Sequence, residues 1–346
     1  MRINLPTDPR LGGPRAGPLT LRPKSQRSTV ATNQANKKPA PRRPGPRPAS
    51  QGRARAGRPA GLFTWIAVGL VVVVVATLVI IKVTSGGSSG SGAQAFEPAN
   101  PAVVSQLTSV PDTVFDTVGV NSSAIGVAPP QVMKKLPFLS VTQNGKKVPE
   151  ILYVGAEYCP YCAAERWATI IALSRFGTWS GLGNMASYSQ DVYPNTPTFT
   201  FVRAHYHSKY VAFRSVEMYT NYLNAAKTYY QPLQKLTPAQ NANFKKYDNC
   251  KYITGLTCQN NESFPFVNFA NQVMIVGSSY TPAALDGNSR DQIAAGLSNA
   301  SDPITAAIIA TANYATASIC SVDGGQPSTV CTSAGVRAAA KKMGLK

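Results

Sequence analysis

Acid and histidine are scarce in this chain. Its 346 residues hold 15 Asp or Glu and two His against 34 Lys or Arg, for a formal charge of +19. Two histidines cannot build a multi-histidine metal centre, and a zinc knuckle needs two ligands beyond a cysteine pair. The available ligands fit poorly. Cys250 and Cys258 are loosely spaced, and His205 and His207 sit two apart on an expected strand near a turn. No metal and no dissociable cofactor is therefore expected. Residues 1–60 contain no Phe, Tyr or Trp, so this stretch offers no ring on which a nucleic-acid base could stack.

The charge is unevenly spread. Residues 1–60 carry fourteen Lys or Arg and one acid, Asp8, and are dense in proline. Such a segment cannot bury a core and is expected to be a disordered tail. Gly61–Ile81 follows, 21 residues without a charge, which as a helix spans roughly 30 Å, the thickness of a hydrocarbon core. A removable signal peptide fits less well, because the basic region is too long and the apolar run too extended. An A-x-A pattern at Ala93–Ala95 lies well downstream. Residues 61–83 are thus read as one transmembrane helix, with Trp65 as an interfacial anchor. Only the N-terminal flank is basic, so the tail is expected in the cytoplasm and everything after Lys82 outside it. Anionic lipid is the expected partner of the tail. Nucleic acid is disfavoured, since the chain after Lys82 carries only +5.

Residues 84–105, with GGSSGSG at 86–92, read as a flexible linker, and residues 106–346 as one extracytoplasmic α/β domain. Residues 98–130 read as loop-rich packing. VPEILYVGA at 148–156 reads as a buried central strand, and PYCAAERWATIIALSRFG from Pro160 as a helix. TPTFTFVRAHY at 196–206 alternates like a strand. The stretch from Val216 to Tyr247 has a mostly helical pattern, which makes an insertion near 207–262 helical. FPFVNFANQVMIVG at 264–277 predicts a hairpin about an Ala-Asn turn. Helices are expected after Asn288 or Ser289 and after Asp302-Pro303.

The chemistry concentrates in GAEYCPYCAAERW, residues 155–167. Cys159 would cap the helix, where free backbone N–H groups and the dipole stabilise a thiolate. Cys162, one turn inside, is close enough to attack a mixed disulfide at Cys159. Attacking and resolving thiols follow from these positions.

YVGAEYCPYC resembles the active-site strand and turn of the thioredoxin superfamily, and its Pro-Tyr pair is the one glutaredoxins use. More closely, GAEYCPYCAAERW with the later FPFVNF resembles a family of prokaryotic membrane-anchored thioredoxin-like proteins known as a domain of unknown function. The similarity covers most of residues 130–300. It implies a thioredoxin-like fold with an insertion and thiol–disulfide exchange at Cys159 and Cys162. It also implies a cis-proline facing the cysteines, for which Pro265 is preferred over Pro197, too close to the first helix. Tyr158, Pro160, Tyr161 and Phe264 become the expected substrate contacts. Thioredoxins carry a buried acid six residues before the first cysteine; here Tyr153 stands there. Glu157 is the remaining candidate for proton transfer, read either as an exposed neighbour of the site or as a solvated turn carboxylate.

Cys250 with Cys258 and Cys320 with Cys331 are expected as structural disulfides closing short loops, each contributing roughly 2.5–3 kcal/mol. Six cysteines outside the cytoplasm fit an oxidising compartment. The expected partners are protein thiols or disulfides outside the cytoplasm, with a membrane redox partner recycling the pair. Two other readings remain: a thioredoxin-like protein-binding module without catalysis, and, ranked last, copper handling by the C-P-x-C pair.

Overall fold

The computed structural model of the protein describes residues 95–345, apart from 123 and 260. The basic tail, the span 61–83 and the linker up to residue 94 lie outside the described residues. Helices α1 (Pro101–Thr108) and α2 (Asp112–Val118) come first, then β1 (Gln131–Val132), β2 (Ser140–Gln143), β3 (Lys146–Gly155) and α3 (Pro160–Ser174). Four short strands follow: β4 (Gly177–Ser180), β5 (Gly183–Ala186), β6 (Pro197–Thr200) and β7 (His205–Ser208). Next come β8 (Ala212–Glu217), β9 (Tyr219–Leu223), β10 (Tyr230–Pro232) and α4 (Pro238–Tyr247). The chain continues through β11 (Phe266–Phe269), β12 (Val273–Val276), α5 (Arg290–Gly296), α6 (Pro303–Val322) and α7 (Ala334–Met343).

The apolar run ending at Gly155 becomes the centre of a mixed six-stranded sheet. On one edge of β3 lies β11, antiparallel, followed by β12 and β1. The other edge is shared: β2 pairs with Lys146–Pro149, and β8 pairs in parallel with Glu150–Gly155. Both faces of β3 are covered, as a run without polar alternation requires. Ile151 and Tyr153 join the large core that includes Trp167, Ile170 and Ile308. Leu152 and Val154 join a second core with Phe244 and Tyr247 of α4. Successive strand residues point to opposite faces, so this one strand anchors helices on both sides.

Local rules account for the elements around it. Ala270 and Asn271 have φ of +52° and +63°, the left-handed pair that a tight hairpin needs between β11 and β12. Ser289 caps α5 with Gln292 in a capping box, and Asp302 caps α6 through the Thr305 N–H. By length and composition α6 is apolar enough to cross a membrane. It is instead a core helix, packed against α3 and α7 with most of its residues buried.

Several expectations need correction. The lead at 98–130 is helical in part, and the linker read to 105 already belongs to the fold from Ala99, which is buried beside Val103 and Leu107. The single strand at 196–206 is two strands, β6 and β7, which pair with β5 and β4 outside the main sheet. The insertion is not chiefly helical. Residues 177–208 form two ribbons, 219–232 form the β9–β10 ribbon, and α4 is the one helix of 216–247. The tyrosines at 219, 222, 229 and 230 mimicked a helical period while belonging to a two-stranded ribbon. The strand that pairs with β3 in parallel, β8, lay within the region read as insertion.

Candidate active site

The turn from β3 into α3 carries the cysteine pair. Cys159 is the cap of α3, with Pro160 at the first helical position, where a missing N–H costs nothing. The Cys162 backbone N–H donates to Cys159 Sγ at 3.3 Å. Across the cleft, Cys159 Sγ lies 3.8 Å from the carbonyl oxygen of Phe264, a contact the thiol makes as donor. The Phe264–Pro265 bond is cis, and Pro265 leads directly into β11, its carbonyl accepting the Gly277 N–H. Pro197 lies elsewhere: it opens β6, and its carbonyl accepts the indole N–H of Trp167 at 2.9 Å.

Burial and charge separate the two thiols. Cys162 is fully buried, and Cys159 keeps a 5 % opening to solvent. A hydrogen bond from the Cys162 thiol, the backbone N–H groups of Cys162 and Tyr161 and the charge of Arg166 together pull the Cys159 thiol below its ordinary pKa, against its burial. Burial first, then its bond to Cys159, push Cys162 well above the ordinary range. Of the two thiols, the one that ionises more readily is therefore Cys159, the sulfur that solvent can reach.

Behind the pair lies a charged core that sequence reasoning missed. Arg166, one turn beyond Cys162, donates from Nε and Nη2 to the two carboxylate oxygens of Glu217 at 2.9 and 2.7 Å, both side chains fully buried. The same Nη2 donates to the Ala156 carbonyl at 2.8 Å. One guanidinium thus ties α3 to the ends of β3 and β8 directly under the cysteines. The available signal was an arginine among Ala163, Ala164 and Trp167 on a buried helix, which needs a buried acid as partner. Glu217, 51 positions away, gave no local sign.

Glu157 is neither exposed nor solvated. It is 6 % exposed, and its carboxylate accepts the Thr200 hydroxyl at 2.6 Å. Burial raises its pKa to about 7, helped by Glu217 and opposed by Thr200 and Arg166. Tyr153 is fully buried, edge-on to Phe201 with ring centroids 5.0 Å apart.

The expected substrate contacts divide between two sides. Tyr158 and Phe264 line a cavity of about 400 Å³ that opens on Cys159, together with Tyr219, Tyr229 and Phe244. Tyr158 is stacked on Tyr230, centroids 3.7 Å apart. Tyr161 turns the other way, 40 % exposed and edge-on to Tyr193, beside a shallow depression walled by residues 277–281. Pro160, expected as a substrate contact, is buried. Tyr219, Tyr229 and Tyr230 come from the ribbon that the sequence reading took for helix.

The other cysteines form Cys250–Cys258 and Cys320–Cys331, with Cα atoms 5.0 and 5.6 Å apart, leaving Cys159 and Cys162 as free thiols. The second ties the end of α6 to the helical turn Ser328–Cys331 ahead of α7. His205 and His207 lie on β7, opposite Ser180 and Thr178. Among the described residues no group of three or more His, Cys, Asp or Glu could hold a metal ion.

Residues 135–321 match a protein family described as "Domain of unknown function (DUF929)". No curated protein and no solved structure matches the chain.

Proposed function

The chain belongs to this family of unknown function, and we propose that it is a thiol–disulfide oxidoreductase of thioredoxin-like fold, with Cys159 as attacking sulfur and Cys162 as resolving sulfur. The fold reading is supported by the strand order β12-β11-β3-β8. There β8 runs parallel to β3, β11 and β12 form the antiparallel hairpin, and the cysteines begin the helix after the central strand. The observation that carries the reaction is the cap geometry. Cys159 Sγ takes the Cys162 N–H and faces the Phe264 carbonyl, with a cavity open in front of it.

In the reducing direction, Cys159 thiolate attacks one sulfur of a substrate disulfide. A Cys159–substrate disulfide forms, and the other substrate sulfur leaves as thiolate. Cys162 then loses its proton and attacks Cys159 Sγ, which makes the Cys159–Cys162 disulfide and expels the second substrate sulfur. Two electrons pass to the substrate, and its two thiolates take up one proton from Cys162 and one from solvent. Oxidation is the reverse sequence, and a dithiol or disulfide partner resets the pair. Glu157, its pKa raised by burial to about 7, stays in this reading as the candidate group for proton transfer.

The same reading takes the chain as tethered by residues 61–83 with its domain outside the cytoplasm, where protein thiols or disulfides are its substrates and a membrane redox partner recycles it. Two local disulfides in the domain support an oxidising compartment. Anionic lipid remains the partner proposed for the tail.

The test is covalent capture. Cys162→Ser leaves the mixed disulfide unresolved and should accumulate adducts on a non-reducing gel, whereas Cys159→Ser should accumulate none. If neither variant captures a partner, and Cys159 is no more acidic than free cysteine, a non-catalytic binding module replaces this reading.

A further inference from the structure

The cavity in front of Cys159 has an unusual wall. Five aromatic side chains enclose it in a chain of contacts: Tyr219 lies 5.2 Å from Tyr229, 6.3 Å from Tyr158 and 6.5 Å from Phe264, centroid to centroid. Phe264 in turn is stacked on Phe244 at 6.0 Å. Burial raises the pKa of Tyr158 and Tyr219 further above neutrality, so these two rings stay neutral. The one carboxylate among the lining residues is Glu262, and no Lys or Arg is among them. Cys159, whose thiol ionises more readily than an ordinary cysteine, faces the same space. Glu262 takes φ +61°, a left-handed backbone that favours glycine or asparagine over glutamate. Among the described residues its one ion pair is with Lys245 at 3.9 Å, both side chains about half exposed, and a long solvent-exposed pair of that kind is weak.

Aromatic faces beside a carboxylate attract a cation twice, through the ring quadrupole and through charge. A purely apolar groove would not carry an acid on its wall, and an anionic ligand would meet the like charge of Glu262. We infer that this groove receives the lysine or arginine side chain of a substrate polypeptide, positioned within a few residues of the cysteine that exchanges with Cys159. This rests on the oxidoreductase reading above and specifies its substrates: disulfides flanked by basic residues. The ribbon 219–232 and residues 262–264 then set specificity, while the cysteine turn carries the exchange.

The experiment uses the reduced full-length protein, purified in detergent. Three symmetric peptide disulfides serve as probes, identical except for Lys, norleucine or Glu at the positions two before and two after each cysteine. Quenched alkylation and mass spectrometry give the rate of dithiol consumption. Each rate is divided by that of free cysteine with the same peptide, which removes the effect of the neighbours on sulfur reactivity. The Lys peptide should exceed the norleucine peptide about tenfold, with the Glu peptide slowest. Glu262→Gln should reduce the Lys preference to about threefold, and so should an ionic strength of 1 M, where charges are screened within about 3 Å. Equal normalised rates for the three peptides would overturn the inference and leave thiol exchange standing. A Lys preference that neither the substitution nor salt diminishes would also overturn it. Reaction with none of the peptides beyond the free-cysteine rate would overturn both this inference and the oxidoreductase reading.

Discussion

Replacing both Arg166 and Glu217 should be no more damaging than replacing either one alone. The two side chains are fully buried and joined by hydrogen bonds of 2.7 and 2.9 Å, so each charge is tolerated in the interior because of the other. Arg166→Met strands the Glu217 carboxylate beside Glu157, a second buried acid. Glu217→Leu strands the guanidinium. Breaking a buried pair from one side costs about 3–5 kcal/mol, a large part of the roughly 5–15 kcal/mol that holds a domain folded. The double variant Arg166→Met/Glu217→Leu removes both charges and fills the space with apolar atoms. It should cost no more than either single change, which gives a coupling of about 3 kcal/mol. Urea unfolding of the four full-length proteins, followed by tryptophan fluorescence and extrapolated linearly, measures the cycle. The pair also has an electrostatic signature at the site, because Arg166 lowers the Cys159 pKa. Arg166→Met should therefore raise the pH at which Cys159 becomes reactive. Additive single costs, or an unmoved Cys159 profile, would refute the account of a charged clamp beneath the cysteines.

Three further outcomes are expected. Glu165 is fully buried, accepts the Ser279 N–H at 2.8 Å, and has its pKa raised by burial from 4.5 to about 7. The folded state thus holds this proton more tightly than the unfolded chain. The associated stability is complete below about pH 4.5 and is lost as pH rises through about 7, up to about 3 kcal/mol, which urea titrations of wild type and Glu165→Gln across that window would reveal as a slope steeper in wild type than in the variant, where Glu157 still titrates. Cys320→Ala/Cys331→Ala opens a loop with a sequence separation of 11 and should lower stability by about 3 kcal/mol without altering the Cys159 reactivity profile, as denaturation and alkylation together would check. Protease added to intact spheroplasts should digest the domain after residue 84 and spare the tail; a protected domain would reverse the proposed orientation.

What the sequence made legible were features governed by neighbours a few residues apart. The capped helix at Cys159–Pro160, the left-handed turn at Ala270–Asn271, and the caps at Ser289 and Asp302 each depend on one local stretch of backbone. The central strand was legible because both its faces are buried, which leaves a continuous apolar run. Strand β8 was hidden because its arginine and glutamate broke that signature. Glu217 at its end is apolar in neither type nor spacing, and its partner Arg166 is 51 positions earlier. The tyrosines of β9 and β10 suit a helix face as well as a ribbon, and only their stacking against Tyr158 distinguishes the two. Glu157 looked like a turn carboxylate because the elements that bury it, β6 with Thr200 and the ribbon at Tyr219, come from remote sequence.

The central claim is that C-P-Y-C is an asymmetric dithiol with its thiolate at Cys159. The most direct measurement is site-resolved alkylation of the reduced full-length protein across pH, read by mass spectrometry. Cys159 should label first, with a midpoint below the ~8.5 of free cysteine. Cys162 should resist labelling until well above it, as its burial and its bond to Cys159 require. Labelling of Cys162 ahead of Cys159, or a Cys159 midpoint at or above that of free cysteine, would contradict the account.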